Sequence, residues 1–199
     1  MNEEIRRIRE EIMAHQDNQA YGERGWQPLF AADERARIVV VGHAPGRRTQ
    51  ELGIPWSDAS GRKLMDWLGL DEAEFRDGAR VSQLPMDFYY QGKGKSGDLP
   101  PRKGFAPLWH QRLLAQMPLI RLTVLIGAYA QAYYLGARRK GSLTATVRAF
   151  GEYLPDFFPL VHPSPLNFRW QARNPWFEHE VIPRLRERVR EVLEGSGNG

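Results

Sequence analysis

Two histidines stand in short loops rich in glycine and proline, each directly after a run of apolar residues. His43 belongs to the sequence Gly-His-Ala-Pro-Gly of residues 42–46, and His162 belongs to His-Pro-Ser-Pro-Leu-Asn of residues 162–167. Proline fixes its own φ and pushes the preceding residue towards an extended conformation, so each loop would hold its histidine firmly. Open α/β sheets bind ligands outside the carboxyl ends of their strands. The two loops would therefore form one site if their strands were parallel neighbours.

These loops, in this order and at this separation, resemble the two signature loops of the uracil-DNA glycosylase superfamily. The resemblance continues through Gly-Ile-Pro-Trp at residues 53–56, Ser-Gly at 60–61 and the strand-like residues 122–127. It implies a three-layer α/β/α sandwich around a central, mostly parallel four-stranded sheet. It also implies an enzyme that flips a deaminated base, above all uracil, out of DNA and hydrolyses its N-glycosidic bond without a metal or cofactor.

The resemblance assigns roles to individual residues of these loops. His162 would donate a hydrogen bond towards uracil O2, where negative charge develops as the base leaves. Trp56 occupies the position of the aromatic residue that stacks on the flipped base. Ser164, with neighbouring backbone N–H groups, would hold a phosphate. Leu166 matches the residue that wedges into the duplex where the base was.

The catalytic carboxylate is assigned less directly. Many superfamily members carry aspartate or asparagine as the third residue of the first loop, whereas this chain has Ala44, which cannot activate water. Some branches with alanine there carry an acidic residue close to the equivalent of Asp58, so Asp58 is the first candidate for orienting water and stabilising the oxocarbenium-like sugar. It is also a plausible helix cap. His43 would contact the base, position water or have no role, and Asp98 is a second candidate for chemistry or for holding Arg102.

The base pocket is expected to include Gly42, Ala44 and Trp56. The glycine of the first loop would let backbone N–H groups approach a carbonyl or phosphate closely. Gln83 stands near the end of a predicted strand and is the nearest amide to the place where superfamily members read the base. An amide offers one donor and one acceptor, which matches the O4 and N3–H edge of uracil. A solvent-facing glutamine on a strand is the alternative.

Basic residues follow and flank the loops. The whole chain carries 28 Lys and Arg against 24 Asp and Glu, a net charge of +4 that allows a nucleic-acid partner without requiring one. The glycine-rich residues 92–103 form the most basic loop and would follow a DNA backbone, although they lack P-loop spacing. The candidate DNA contacts are Arg47, Lys93, Lys95, Arg102, Ser164, Leu166 and Arg169.

Composition excludes several classes of protein. The chain has no cysteine, which rules out disulfides, thiolate nucleophiles and cysteine-ligated zinc or iron–sulfur clusters. Neither a signal peptide nor an apolar run of transmembrane length is present, and we interpret the protein as cytoplasmic, monomeric and without membrane contact. A length of 199 residues with 42% hydrophobic content suits a single domain. Within it, residues 1–32 would be an N-terminal helix and linker, and residues 195–199 a flexible tail.

The apolar pattern predicts alternating helices and strands, which favours the same three-layer α/β/α architecture. Strands are predicted over residues 38–41, 79–86 and 122–127 and just before His162. Helices are predicted over residues 2–16, about 60–68, 108–117, 128–135 and 142–150, and from Asn174, the expected N-cap of the last helix, onward.

Other functions remain open at this point. A relative that binds damaged or single-stranded DNA without hydrolysing it is consistent with Ala44. A glycosylase for hypoxanthine or xanthine is a further alternative, because the sequence does not settle which of these bases or uracil is excised. An enzyme acting on free nucleosides is a third alternative, but it would have no use for a wedge at Leu166 or for a basic loop. The sequence does not decide between single-stranded and double-stranded DNA.

Overall fold

A single sheet of parallel strands forms the centre of the protein. The computed structural model describes residues 2–95 and 97–195, and within them four strands follow the order β2-β1-β3-β4. They are β1 (Ile38–Val41), β2 (Val81–Gln83), β3 (Leu122–Ile126) and β4 (Phe157–Leu160). Their nearly continuous apolar character is typical of parallel strands that are covered on both faces. The predicted four-stranded sheet is confirmed, and all its strand pairs are parallel.

Helices cover the sheet on both sides. Along the described chain they are α1 (Glu3–Ala14), α2 (Gln19–Gly22), α3 (Arg47–Leu52), α4 (Ala59–Leu68), α5 (Glu72–Arg76), α6 (Phe105–Ala115), α7 (Gly127–Leu135), α8 (Leu143–Arg148), α9 (Phe168–Arg173) and α10 (Ile182–Glu194). A π-helical turn, Phe177–Val181, leads into α10. Every helix in the described ranges is too short or too polar to cross a lipid bilayer.

Side chains of β1 alternate between the two faces of the sheet and so enter two separate cores. Ile38 and Val40 pack in one core with buried residues of α4 and α10. Val39 and Val41 pack in the other core with buried residues of α1 and α6. This alternation is the ordinary period of a strand, and it builds the predicted three-layer α/β/α sandwich.

The last part of the chain differs from the sequence prediction. Asn174 is not the N-cap of the last helix, because its side chain donates to the Trp170 carbonyl and accepts from Trp176 Nε1. The regular helix begins eight residues later, at Ile182, with Pro183 in its first turn. The sequence also did not predict α9. Of the tail predicted for residues 195–199, residues 196–199 lie outside the described residues.

An ion pair fastens the long basic loop to the protein interior. Asp87 is fully buried, and its Oδ2 accepts from Arg102 Nε at 2.8 Å while its Oδ1 accepts from Arg102 Nη2 at 2.9 Å. Arg102 Nη1 donates to Asn18 Oδ1 at 2.8 Å. All three guanidinium nitrogens are thus engaged within the protein. The structure does not support the prediction that Arg102 contacts DNA, and Arg102 pairs with Asp87 rather than with Asp98.

Replacing Arg102 with glutamine should destabilise the fold. The change leaves the Asp87 carboxylate buried without its counter-ion, and breaking a buried pair from one side typically costs about 3–5 kcal/mol. We expect the free energy of unfolding in urea to fall by roughly 3 kcal/mol. Lys103→Gln, an exposed charge removed from the next residue, is the matched control and should change it by less than about 0.5 kcal/mol. Equal effects of the two substitutions would contradict the structural role of the ion pair.

Candidate active site

A cleft opens at the carboxyl edge of the sheet, and both predicted loops line it. Its walls include Gly42, His43, Ala44, Trp56, Asp58, Asp98, His162 and Ser164. We call it the base cleft. It encloses about 240 Å³, which is below the roughly 300–1,000 Å³ of sites for drug-sized ligands and suits a smaller planar group. Most residues that the sequence assigned to the base and its chemistry therefore share one cavity.

The two histidine loops meet even though their strands are not neighbours. Strand β3 lies between β1 and β4, so the condition of adjacent strands is not met. However, β3 ends at Ile126 and α7 begins at the next residue, Gly127, whose φ of 82° makes the sharp turn possible. No loop separates β3 from α7, and the loops after β1 and β4 both line the base cleft. Ligands of open α/β sheets bind at such a position, where the strand order reverses.

Trp56 forms one wall of the base cleft through a close backbone approach. Its φ of 55° lies in the left-handed region, which is uncommon for a residue other than glycine. A Cβ on Gly61 would overlap the Trp56 carbonyl oxygen, and a Cβ on Gly42 would lie 2.6 Å from ring atom Cζ2. The indole faces His162, with ring centroids 6.0 Å apart and planes inclined by 32°. Backbone strain of this kind costs roughly 1–3 kcal/mol and is concentrated at functional sites.

Both histidines of the base cleft have lowered pKa values. Burial is the main cause for His43, and the nearby Asp98 carboxylate opposes it. Burial also lowers the pKa of His162, the charge of His43 adds to the effect, and Asp58 opposes it. The His43 ring is held edge-on to Tyr129, with centroids 5.3 Å apart. Both rings are therefore neutral near pH 7, and each offers one N–H donor and one acceptor nitrogen.

Two carboxylates enter the base cleft from different loops. Asp58 Oδ1 accepts a hydrogen bond of 2.9 Å from the backbone N–H of Gly61, which confirms the predicted cap of α4. Asp98 comes from the long basic loop and lies beside Gly46, His43 and Tyr90. Burial raises the pKa of Tyr90, and the charge of Asp98 raises it further. Either carboxylate has access to a group bound in the cleft.

Gln83 does not line the base cleft. It is buried at the end of β2, and its Nε2 donates to the Phe75 carbonyl of α5 at 3.2 Å. The side chain points into the core beneath α5, so the structure does not support the prediction that Gln83 reads the base. Ser82, on the opposite face of the strand, does not line the cleft either, and the lining residue that follows β2 is Pro85, two positions beyond Gln83.

The loop after β4 presents its candidate DNA contacts at the rim of the base cleft. Ser164 lines the cleft and caps the next turn, with its Oγ accepting from the Leu166 N–H. The Leu166 side chain is 85% exposed and Phe168 is 62% exposed. Arg169 lies over the Phe168 ring, with its guanidinium carbon 5.6 Å from the centroid. An exposed apolar pair beside a cleft is unusual for a surface that meets only water.

The remaining candidate cations are not among the residues that line the base cleft. Lys93 and Lys95 are exposed on the long basic loop. Arg47 is exposed in the first turn of α3, where its Nε donates to Glu51 at 2.8 Å. Sequence reasoning missed Tyr129, which supports His43. It also missed Trp26 and Tyr90, because no motif surrounds these aromatic residues.

Comparison with known proteins decides the family. A family model described as the uracil DNA glycosylase superfamily matches residues 30–186, which include both histidine loops. The chain belongs to this superfamily. It is also similar to a solution NMR structure of a provisionally assigned uracil DNA glycosylase from Methanosarcina acetivorans, with 18% identity, a TM-score of 0.44 and coverage of 79% of this chain and 93% of that chain. Because that TM-score is low, membership of the uracil DNA glycosylase superfamily rests on the family model.

This superfamily member carries no cysteine, so a cysteine-ligated cluster is excluded. Among residues 2–95 and 97–195, no group of three His, Asp or Glu side chains is arranged to hold a metal ion.

Gly61→Ala should damage the site, although alanine normally favours a helix. The methyl group would meet the Trp56 carbonyl oxygen, so the turn that places the indole must move. We expect a loss of roughly 1–3 kcal/mol in the free energy of unfolding and a changed tryptophan fluorescence spectrum. Gly151→Ala, with nothing within 4 Å of its added Cβ, is the control and should be nearly neutral. A stabilised Gly61→Ala variant with an unchanged spectrum would show that the contact does not constrain Trp56.

Proposed function

We propose that this protein is a DNA glycosylase that hydrolyses the N-glycosidic bond of a deaminated base, with uracil as the first candidate. The observation that carries the proposal is the meeting of both superfamily loops in one small cleft, with Trp56, two carboxylates and two neutral histidines on its walls. We further propose that it acts as a single domain and as a cytoplasmic monomer, without metal or cofactor.

In the proposed complex the base enters the cleft and stacks on Trp56. Extrahelical bases are commonly held between aromatic or apolar side chains in this way. The N–H of neutral His162 donates to O2 of the base, where negative charge develops as the bond to the sugar breaks. A preorganised donor in a partly buried cleft stabilises that charge more than water does. The backbone of residues 42–46 supplies further donors.

The hydrolytic step requires a carboxylate on the sugar side of the base. The C1′–N bond breaks, and its electron pair leaves with the base as an anion. Water then bonds to C1′, and the carboxylate accepts the proton that water loses. We assign this role to Asp58, because its Oδ1 is fixed by the Gly61 N–H in a defined orientation. Asp98 is the second candidate, and His43 contacts the base or the water.

DNA binding would use groups around the rim of the base cleft. Ser164 and nearby N–H groups would hold a phosphate, and exposed Leu166 would fill the space that the flipped base leaves. Arg169, together with Arg47, Lys93 and Lys95, would contact further phosphates. Removing two phosphate-binding cations should weaken DNA binding more at low salt than at high salt, as counterion release requires.

A second candidate function follows from one residue. Ala44 lines the base cleft at the position where many superfamily members carry a polar side chain, and its methyl group cannot orient water. A protein that binds deaminated or single-stranded DNA without cleaving the glycosidic bond would tolerate that change. Excision of hypoxanthine or xanthine is the alternative within the glycosylase class.

Abasic sites should form when the purified protein is incubated with an oligonucleotide that contains uracil. Alkali then cleaves the strand at each abasic site, and matched oligonucleotides with hypoxanthine, xanthine or no lesion run in parallel. Asp58→Asn should lower the rate at least about 100-fold, within the range of general acid–base catalysis, while DNA affinity stays unchanged. Asparagine caps a helix as well as aspartate does, so this variant keeps the N-terminus of α4.

Three other outcomes of the assay are informative. Cleavage only with hypoxanthine or xanthine replaces uracil as the substrate. Binding to all four oligonucleotides without any cleavage favours the second candidate function. If Asp58→Asn keeps full activity, Asp98 becomes the candidate for the catalytic carboxylate, and the Asp98→Asn variant tests that assignment.

The excision rate should be constant from about pH 8 down to about pH 6.5, the usual pKa of histidine. Both cleft histidines have lowered pKa values, so they stay neutral over this range. Below it, a charged His43 would oppose the cationic sugar and the rate should fall. The measurement is single-turnover excision against pH, with His179→Gln, an exposed histidine outside the cleft, as the control. A half-maximal rate at or above pH 6.5 would contradict the proposed neutral state.

A further inference from the structure

A second cleft opens beside the base cleft and shares Asp98 with it. We call it the side cleft. It encloses about 540 Å³. Its walls combine aromatic and charged side chains, namely Trp26, Tyr90, Arg24, Arg47, Glu51 and Lys93 together with Asp98. Only Arg47, Lys93 and Asp98 of these belong to groups that the sequence analysis considered.

The aromatic wall of the side cleft is supported from within the protein. Trp26 stacks on Tyr21, with centroids 6.1 Å apart and planes 11° apart, and Tyr21 stacks on buried Tyr89 at 4.5 Å. Tyr90 stands across from Trp26 at 6.3 Å, inclined by 57°. Tyr21 also donates from its hydroxyl to Gln91 Oε1 at 3.1 Å. The indole is therefore a fixed platform, and a planar ligand would find it already ordered.

The side cleft carries three cations, Arg24, Arg47 and Lys93, against two carboxylates, Glu51 and Asp98. The guanidinium carbon of Arg24 lies 5.5 Å from the centroid of the Trp26 ring, and Lys93 is an exposed residue of the same lining. Arg47 is balanced by Glu51 at 2.8 Å, so Arg24 and Lys93 are the cations with the weakest internal compensation. Cations interleaved with aromatic faces are the usual combination in sites for single-stranded nucleic acid, where bases stack and phosphates meet Lys or Arg.

We propose that the side cleft binds the unpaired nucleotide next to the flipped one, with its base on Trp26 or Tyr90 and its phosphate near Arg24 and Lys93. Because the two clefts share Asp98, adjacent nucleotides of one strand can occupy them together. A neighbouring base in duplex DNA is paired and stacked and cannot enter without a second flipping event. The protein therefore prefers single-stranded DNA. This inference rests on the proposed function, in which the flipped base fills the base cleft.

The first test measures binding to DNA that contains no deaminated base, so its result does not depend on catalysis. Fluorescence anisotropy compares a labelled single strand with the same strand in a duplex. Trp26→Leu removes the aromatic face but keeps apolar packing on Tyr21. It should weaken single-strand binding about 5- to 100-fold, the usual effect of losing one stacking platform, and change duplex binding less than about twofold. Trp26→Phe keeps a face and should stay close to the wild type.

The second test uses surface charges, whose removal does not endanger folding. Arg24→Gln combined with Lys93→Gln should lower the slope of log affinity against log salt by roughly 0.7 to 1.4 on single strands, as expected for one or two lost phosphate contacts. Arg121→Gln combined with Arg190→Gln removes two exposed arginines, the first of them at the amino edge of the sheet, and is the matched control. If Trp26→Leu does not fold, the difference in salt slope between these two double variants tests the inference instead.

The inference is overturned if Trp26→Leu binds the single strand as the wild type does, or if it loses single-strand and duplex binding equally. An unchanged salt slope for the Arg24 and Lys93 double variant also overturns it. The proposed function fails separately, when no lesion yields abasic sites. If the protein binds single strands through Trp26 but excises no base, the inference about the side cleft stands and the proposed glycosylase activity fails.

Discussion

The close approach of the Trp56 backbone to Gly61 determines the shape of the base cleft. The first turn of α4 must lie against the Trp56 carbonyl, and only a residue without a Cβ permits that distance. The same turn places Asp58 two residues later, where its carboxylate caps the helix and reaches the cleft. One steric constraint therefore sets both the aromatic wall and the carboxylate. A movement of either would displace the other, since they belong to one tight segment of backbone.

The sheet topology provides the space above this segment. Strand β3 passes directly into α7 without a connecting loop. The strands on either side of it, β1 and β4, are instead followed by loops. The short turn requires positive φ at Gly127, which glycine adopts readily. The loops after β1 and β4 both line the base cleft, whereas no residue of the β3–α7 junction does.

Local sequence patterns predicted the features that depend on residues close together in the chain. Apolar runs indicated the strands, and an aspartate before a helical stretch indicated the cap at Asp58. Contacts between distant segments escaped prediction. Arg102 was expected on DNA because nothing near it in sequence reveals the buried Asp87 that binds it, and Gln83 was misplaced because no pattern in the sequence reveals that its amide donates to the Phe75 carbonyl of α5. Trp26 and Tyr90 meet only after folding, so no spacing in the sequence indicates the side cleft.

Charge is divided between the floor of the base cleft and its surroundings. Asp58 and Asp98 line the cleft beside histidines that burial keeps neutral, so the local field favours a cation such as an oxocarbenium-like sugar. The same field repels a DNA backbone. Exposed cations such as Lys93 and Arg169 are not among the residues that line the cleft. A chain with a net charge of only +4 can satisfy both requirements because it separates the two signs in space.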